Sequence, residues 1–161
     1  MNLMNNFLSK KLLSLNFLEG FTPTNIGNYK PFIISGNLVF ISGQLPLDQN
    51  EVFCTGKVGV DVDETKARES IKIATYNLLW NLSYALEDVN NFKYIKCVNI
   101  KGYINCKDNF ENHSALLNSA SDTIVEVLGK ENGMHTRSVI GVNSLPKNSP
   151  VEIEGIFSLV F

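Results

Sequence analysis

"FIISGNLVFISG", residues 32–43, decides how this chain folds. Gly36-Asn37 splits it into two apolar, β-rich runs, which predicts a tight turn between neighbouring strands. In the second run Leu38 and Phe40 fall on one face and Val39 and Ile41 on the other, because strand side chains alternate. A strand that is apolar on both faces is covered on both faces. The closing stretch "VEIEGIFSLV", 151–160, differs. Val151, Ile153, Gly155, Phe157 and Leu159 share one face, and Glu152, Glu154 and Ile156 share the other.

Between these strands lie two helical patterns. From Glu64 to Leu86, the residues Ile71, Ala74, Leu78, Leu82 and Ala85 recur at helical spacing, and Asp61 or Asp63 can cap the start. A second helix is expected from about Phe110 to Leu128, with Leu117, Ala120, Ile124 and Val127 inward and Gly129 and Gly133 ending it. Residues 93–104 read as a strand whose apolar face carries Tyr94, Val98, Ile100 and Ile104. Residues 46–50 read as a turn, Glu51 to Val58 as a weaker strand and Thr136 to Asn143 as a strand. Met4, Phe7, Leu8, Leu12 and Leu15 predict a short amphipathic helix at the start, with Pro23 and Gly27 breaking the chain after it. The division is therefore 1–24, helix and linker, and 25–161, a single domain.

This order gives an α+β fold: a mixed sheet, two helices packed on one face, and a short N-terminal helix. The doubly apolar strand then needs cover on the opposite face. A second copy of the chain, associating symmetrically, is the expected cover.

Composition limits the function. The 161 residues are 44% hydrophobic and 19% charged, with a net charge of −2. The lysines are scattered and form no basic stripe, so no nucleic-acid partner is expected. No apolar run approaches the ~20 residues that cross a bilayer. The basic residues near the start follow the apolar Phe7-Leu8 pair, the wrong order for a secretory signal, and no arginine marks a mitochondrial presequence. Cys54, Cys97 and Cys106 form no close pair, which fits small core thiols in a reducing, cytoplasmic compartment. His113 and His135 belong to no metal-ligand motif, and no metal or other cofactor is expected.

Arg137 is the anomaly. It stands among Val139, Ile140 and Val142 in an apolar strand, and Arg68 is the one other arginine of the chain. A guanidinium there serves either to pair with an interface carboxylate such as Glu152 or Glu154, or to bind a ligand carboxylate through its planar fork of donors.

Four blocks, "GNYKPFIISGNLVFISGQLP" (27–46), "TGKVG" (55–59), "TRSVIGVNSLP" (136–146) and "VEIEGI" (151–156), together resemble the RidA/YjgF-like family, also called endoribonuclease L-PSP. The N-terminal helix, "TGKVG" and "NSASD" resemble a longer branch of it. The resemblance implies a chorismate-mutase-like fold, a homotrimer with clefts between subunits, and cofactor-free hydrolysis of reactive 2-imino and enamine acids, such as 2-aminoacrylate, to 2-keto acids and ammonia. It implies that Arg137 binds the substrate carboxylate and that Glu154 positions the attacking water, with Glu152 the weaker candidate. It places Tyr29, Gly36 and Asn118 in the cleft as substrate-binding residues. Val139 stands where many RidA proteins carry a cysteine, so only its backbone can serve a substrate there. Two other functions remain open on these residues: a non-catalytic trimer that binds small carboxylates or a partner, and an endoribonuclease, which the charge disfavours. Chorismate mutase activity wants several cations for a dianion, and two arginines supply too few.

Overall fold

The computed structural model describes residues 6–17, 28–87 and 89–161. The expected roles of Met4, Pro23 and Gly27 lie outside these. In chain order the elements are α1 (Phe7–Ser14), β1 (Phe32–Ser35), β2 (Leu38–Gln44), β3 (Leu47–Asp48), β4 (Glu51–Val52), α2 (Glu64–Ala85), β5 (Tyr94–Asn105), α3 (His113–Leu128), α4 (Lys130–Gly133), β6 (Thr136–Val142) and β7 (Val151–Val160).

Five strands form one mixed sheet in the order β1-β2-β7-β5-β6, antiparallel except for the parallel pair β5–β6. That pair is joined through α3, and a parallel connection requires such a crossover. Helices α2 and α3 pack together and cover one face. The core sits between them and a row of buried side chains that includes Val39, Ile41, Ile100, Ile104, Val151, Ile153 and Phe157. Gly102 and Gly155 lie on this face, where an added Cβ would come within 2.6 Å of Leu117 and 3.1 Å of Leu78. Missing side chains there let both helices sit close to the sheet.

Asp63 caps α2, its carboxylate accepting from the Lys66 amide at 2.8 Å. The inward residues Ile71, Ala74, Leu78, Leu82 and Ala85 are all buried. So are Asn77 and Asn81 on the same helix. Asn77 donates to the carbonyls of Leu45 and Leu47 at 3.0 Å, and Asn81 donates to Gln44 at 2.8 Å. These bonds tie the end of β2 to the helix. Leu8 and Leu12 bury α1 in the same core, with Phe7 half exposed.

Several sequence expectations change. The Glu51–Val58 strand shrinks to Glu51–Val52, which pairs with Leu47–Asp48 around Gln49-Asn50, both at positive φ. The 46–50 turn is thus a small hairpin. Beyond it, "TGKVG" is a strap. Val58 bridges Cys106, and Lys57 donates its ammonium to the Asn143 carbonyl at 2.7 Å, tying the ends of β5 and β6 together. The second helix starts at His113, not Phe110. In β5 the expected parity holds only in its second half. A bulge between Cys97 and Asn99 turns the strand over. Ile95 and Cys97 are buried before it and Ile100 and Ile104 after it, while Tyr94 and Val98 face outward.

The second sheet face is bare in one chain. Ile33, Phe40 and Ile140 point from it at 53, 40 and 54% exposure, and Ile156 and Tyr103 lie between them by register. This is the face that the doubly apolar β2 marks for cover.

Candidate functional site

Arg137 lies on the edge strand β6 in register with Ile100, Gly155 and Ile41, so its side chain leaves from the helix-covered face. It does not enter the core. It runs along α3, where Ser114, Asn118 and Ser121 line up at i, i+4 and i+7 on one stripe. Its Nη1 donates to Ser121 Oγ at 2.9 Å, and Nη2 donates to Asn118 Oδ1 at 2.8 Å and to Ser114 Oγ at 3.1 Å. The Ser114 carbonyl also accepts from Nη2, at 3.2 Å. The guanidinium is thereby fixed by neutral oxygens alone, and its charge is not neutralised by any carboxylate among the described residues. At least two of its five N–H donors are left for a ligand. Val139 follows on the same face and packs its partly buried side chain against the core.

Glu152 and Glu154 leave β7 on the opposite, helix-free face, in register with Tyr103 and Lys101. They are not alike. Glu154 accepts from Lys101 Nζ at 2.7 Å, an exposed ion pair. Glu152 has no hydrogen-bond partner among the described residues. It lies half-buried over Gly43, where a Cβ would strike its carboxylate. Burial, and then repulsion from Glu154, push its carboxyl above the usual range. Tyr103 is also raised, first by burial and then by Glu154.

Tyr29 is half exposed just before β1. The segment after it is tied to β2, the Lys30 carbonyl accepting from Ser42 Oγ at 2.8 Å and the Pro31 carbonyl from Ser42 N at 2.9 Å. Gly36 sits in the β1–β2 turn at φ 61°, with open space where a Cβ would be. It serves the turn. The glycine next to a candidate carboxylate is Gly43, at a bulge in β2 between Ile41 and Gln44.

Most of the residues singled out in the sequence thus fall into two separate groups. Arg137, Asn118 and Val139 occupy the β6–α3 edge. Glu152 and Glu154 occupy the bare side of the sheet, and Tyr29 lies in the segment before β1. Two strand spacings, roughly 10 Å, and the sheet itself separate Arg137 from the carboxylates, so one chain cannot bring them together. Sequence reasoning missed Ser114, Ser121 and His135, which complete the arginine half. The available signal was the polar stripe Ser114, Asn118, Ser121 beside the inward Leu117, Ala120 and Ile124. A separate pocket of about 380 Å³ lies at the ends of β5 and β6, lined in part by Cys106, His113, Phe110 and Gly141. No group of three metal-binding side chains occurs among the described residues, and no described helix is long and apolar enough to cross a membrane.

Comparison with known proteins places the chain in a family. Residues 14–157 match the family described as "YjgF/chorismate mutase-like, putative endoribonuclease". Protein TCP17 of Trypanosoma cruzi is 30% identical over 132 residues, covering 82% of this chain and 81% of that protein. Among solved structures, the protein Atu1372 of Agrobacterium tumefaciens, of unknown function, is 35% identical with a TM-score of 0.79, covering 94% of this chain and 92% of that one. A "putative endoribonuclease" of Shewanella oneidensis is 26% identical with a TM-score of 0.84, covering 96% of this chain and all of that one.

Proposed function

The chain belongs to the YjgF/chorismate mutase-like family, and on that premise we propose that it hydrolyses small 2-imino and enamine acids in clefts between copies of itself. One observation carries the proposal. Arg137 and the carboxylates Glu152 and Glu154 leave opposite faces of one sheet. A cationic anchor and an acid–base group that cannot meet within a chain can meet between two. The exposed apolar residues Ile33, Phe40 and Ile140 give the bare face a reason to be covered. A homotrimer is the closed arrangement that the family resemblance implies, each copy lending its β6–α3 edge to the next copy's bare face.

The chemistry follows from the two halves. The guanidinium holds the substrate carboxylate, leaving the adjacent imine carbon over the partner's sheet. A water there adds through oxygen, and the C=N π pair moves to nitrogen. The tetrahedral carbon then collapses: C=O forms, C–N breaks and ammonia leaves. One group must take a proton from the water and return one to nitrogen. Glu152 suits that task better than Glu154, because it is half-buried, unpaired and raised, whereas Glu154 is held by Lys101. Glu154 then acts on Glu152, helping to keep its proton affinity high. Since the electrophile is already reactive, positioning supplies most of the rate.

The test couples the protein to a pyridoxal-phosphate dehydratase that releases 2-aminoacrylate, and follows pyruvate. Wild type should speed its appearance and Arg137→Ala should not. A wild-type rate equal to the protein-free control rejects hydrolysis. Stabilisation by pyruvate without turnover would then point to a carboxylate-binding trimer instead.

A further inference from the structure

Arg137 is held from behind by a chain of hydrogen bonds that the proposed reaction does not use. His135 Nδ1 lies 2.6 Å from the Gly133 carbonyl oxygen. That oxygen can only accept, so Nδ1 carries the proton. In the neutral ring Nε2 is then an acceptor. Ser121 Oγ lies 3.1 Å from Nε2 and 2.9 Å from Arg137 Nη1. Arginine can only donate, so the serine oxygen receives from Arg137 and its hydroxyl proton goes to His135. Each donor and acceptor is fixed by the one before it, from a backbone carbonyl to the guanidinium.

We infer that His135 is a positioning residue for carboxylate binding: through Ser121, its Nδ1–H tautomer fixes the Arg137 guanidinium against α3. The local fold supports this. Gly133 ends the short α4, and an added Cβ there would meet the Val125 backbone at 2.7 Å, so its carbonyl is held firmly where His135 needs it. Ser121 sits one turn beyond Asn118 on the stripe that faces Arg137. With Ser121 bonded to Nη1 and Asn118 to Nη2, both amino groups of the guanidinium are pinned and its plane is set. Loss of the histidine frees the serine hydroxyl to turn to its own helix, as serines in helices do. The Nη1 contact then loses its fixed direction, and the carboxylate anchor its preorganisation.

This inference rests on the reading that Arg137 binds a carboxylate, and the two can fail separately. Pyruvate is the probe, with affinity measured by calorimetry on full-length wild type, Ser121→Ala, His135→Leu and His135→Gln. Ser121→Ala and His135→Leu should weaken pyruvate roughly tenfold, a loss of about 1.4 kcal/mol. His135→Gln, whose amide oxygen can still accept from Ser121, should stay within about threefold of wild type. Nitrogen NMR of the imidazoles supplies a readout that needs no ligand. Neutral His135 should show a protonated Nδ1 and a bare Nε2 whose resonance moves in Ser121→Ala. Undiminished affinity in His135→Leu, equal losses in the Leu and Gln variants, or a protonated Nε2 in the neutral ring each overturns the inference. A wild type that shows the expected tautomer and serine coupling but binds no pyruvate upholds the bond chain and rejects the carboxylate anchor.

Discussion

Arg137→Ala and Glu152→Gln should each abolish most of the activity, and together in one mixed oligomer they should restore part of it. Removing the guanidinium loses a charge-assisted contact of about 1.5–3 kcal/mol, roughly ten- to hundredfold in kcat/KM. Removing the carboxylate loses an acid–base group worth ~10²-fold or more. Because the two side chains leave opposite faces of the sheet, every complete site takes its arginine from one copy and its glutamate from the next. In a trimer that carries both variants, one of the three interfaces joins an intact arginine to an intact glutamate, so one site in three is whole. The assay co-expresses the two variants with different tags, purifies oligomers that carry both, and measures pyruvate release from 2-aminoacrylate. About a third of wild-type turnover is expected. Verified mixed oligomers no more active than either parent would refute the shared site, since a site built within one chain is broken in every copy. A Glu154→Gln partner should not show this complementation, because Glu154→Gln is expected to keep most of its own activity.

Two further outcomes follow from Glu152. Its carboxyl is raised by burial and by Glu154, so in the window above the usual carboxylate range the native state keeps a proton that the unfolded chain has released. Stability then falls as pH rises through that window, and Glu152→Gln removes this slope. Thermal melts from about pH 4 to about pH 7 should show the variant gaining on wild type as pH rises, and a constant or shrinking difference contradicts the assignment. Gly43→Ala places a Cβ against the Glu152 carboxylate, the mobile end of its side chain. Activity should fall at least tenfold while the melting temperature moves by only a few degrees, the scale of a ~1 kcal/mol change. Unchanged turnover would show that the carboxylate position is irrelevant.

The architecture was legible because it is written in burial. Both faces of Leu38–Ile41 are apolar, and the structure buries Val39 and Ile41 under the helices while Phe40 waits on the bare face. Helix α2 was legible from a stripe of apolar residues that the core needs. The errors arose where backbone, not side-chain polarity, sets the geometry. Val98 is as apolar as Ile100, so nothing in its chemistry announces the bulge that turns Tyr94 and Val98 outward. The β3–β4 hairpin turns on Gln49 and Asn50 at positive φ, a conformation that glutamine rarely advertises.

The candidate residues stand out in the sequence, but their arrangement does not. Sequence periodicity places Arg137 and Glu152 each on a face of its own strand, but it does not say which face of β6 matches which face of β7. Register through β5 settles that: Ile100 joins Arg137 to Gly155, and Tyr103 joins Ile140 to Glu152. The same step separates the two glutamates, which alternation alone makes equivalent. Lys101 stands opposite Glu154 and forms an ion pair with it, while Tyr103 stands opposite Glu152 and carries no charge to pair with it. The cross-strand neighbour on β5 thus favours Glu152 over Glu154 for the proposed acid–base role, in a proposed site that needs two chains.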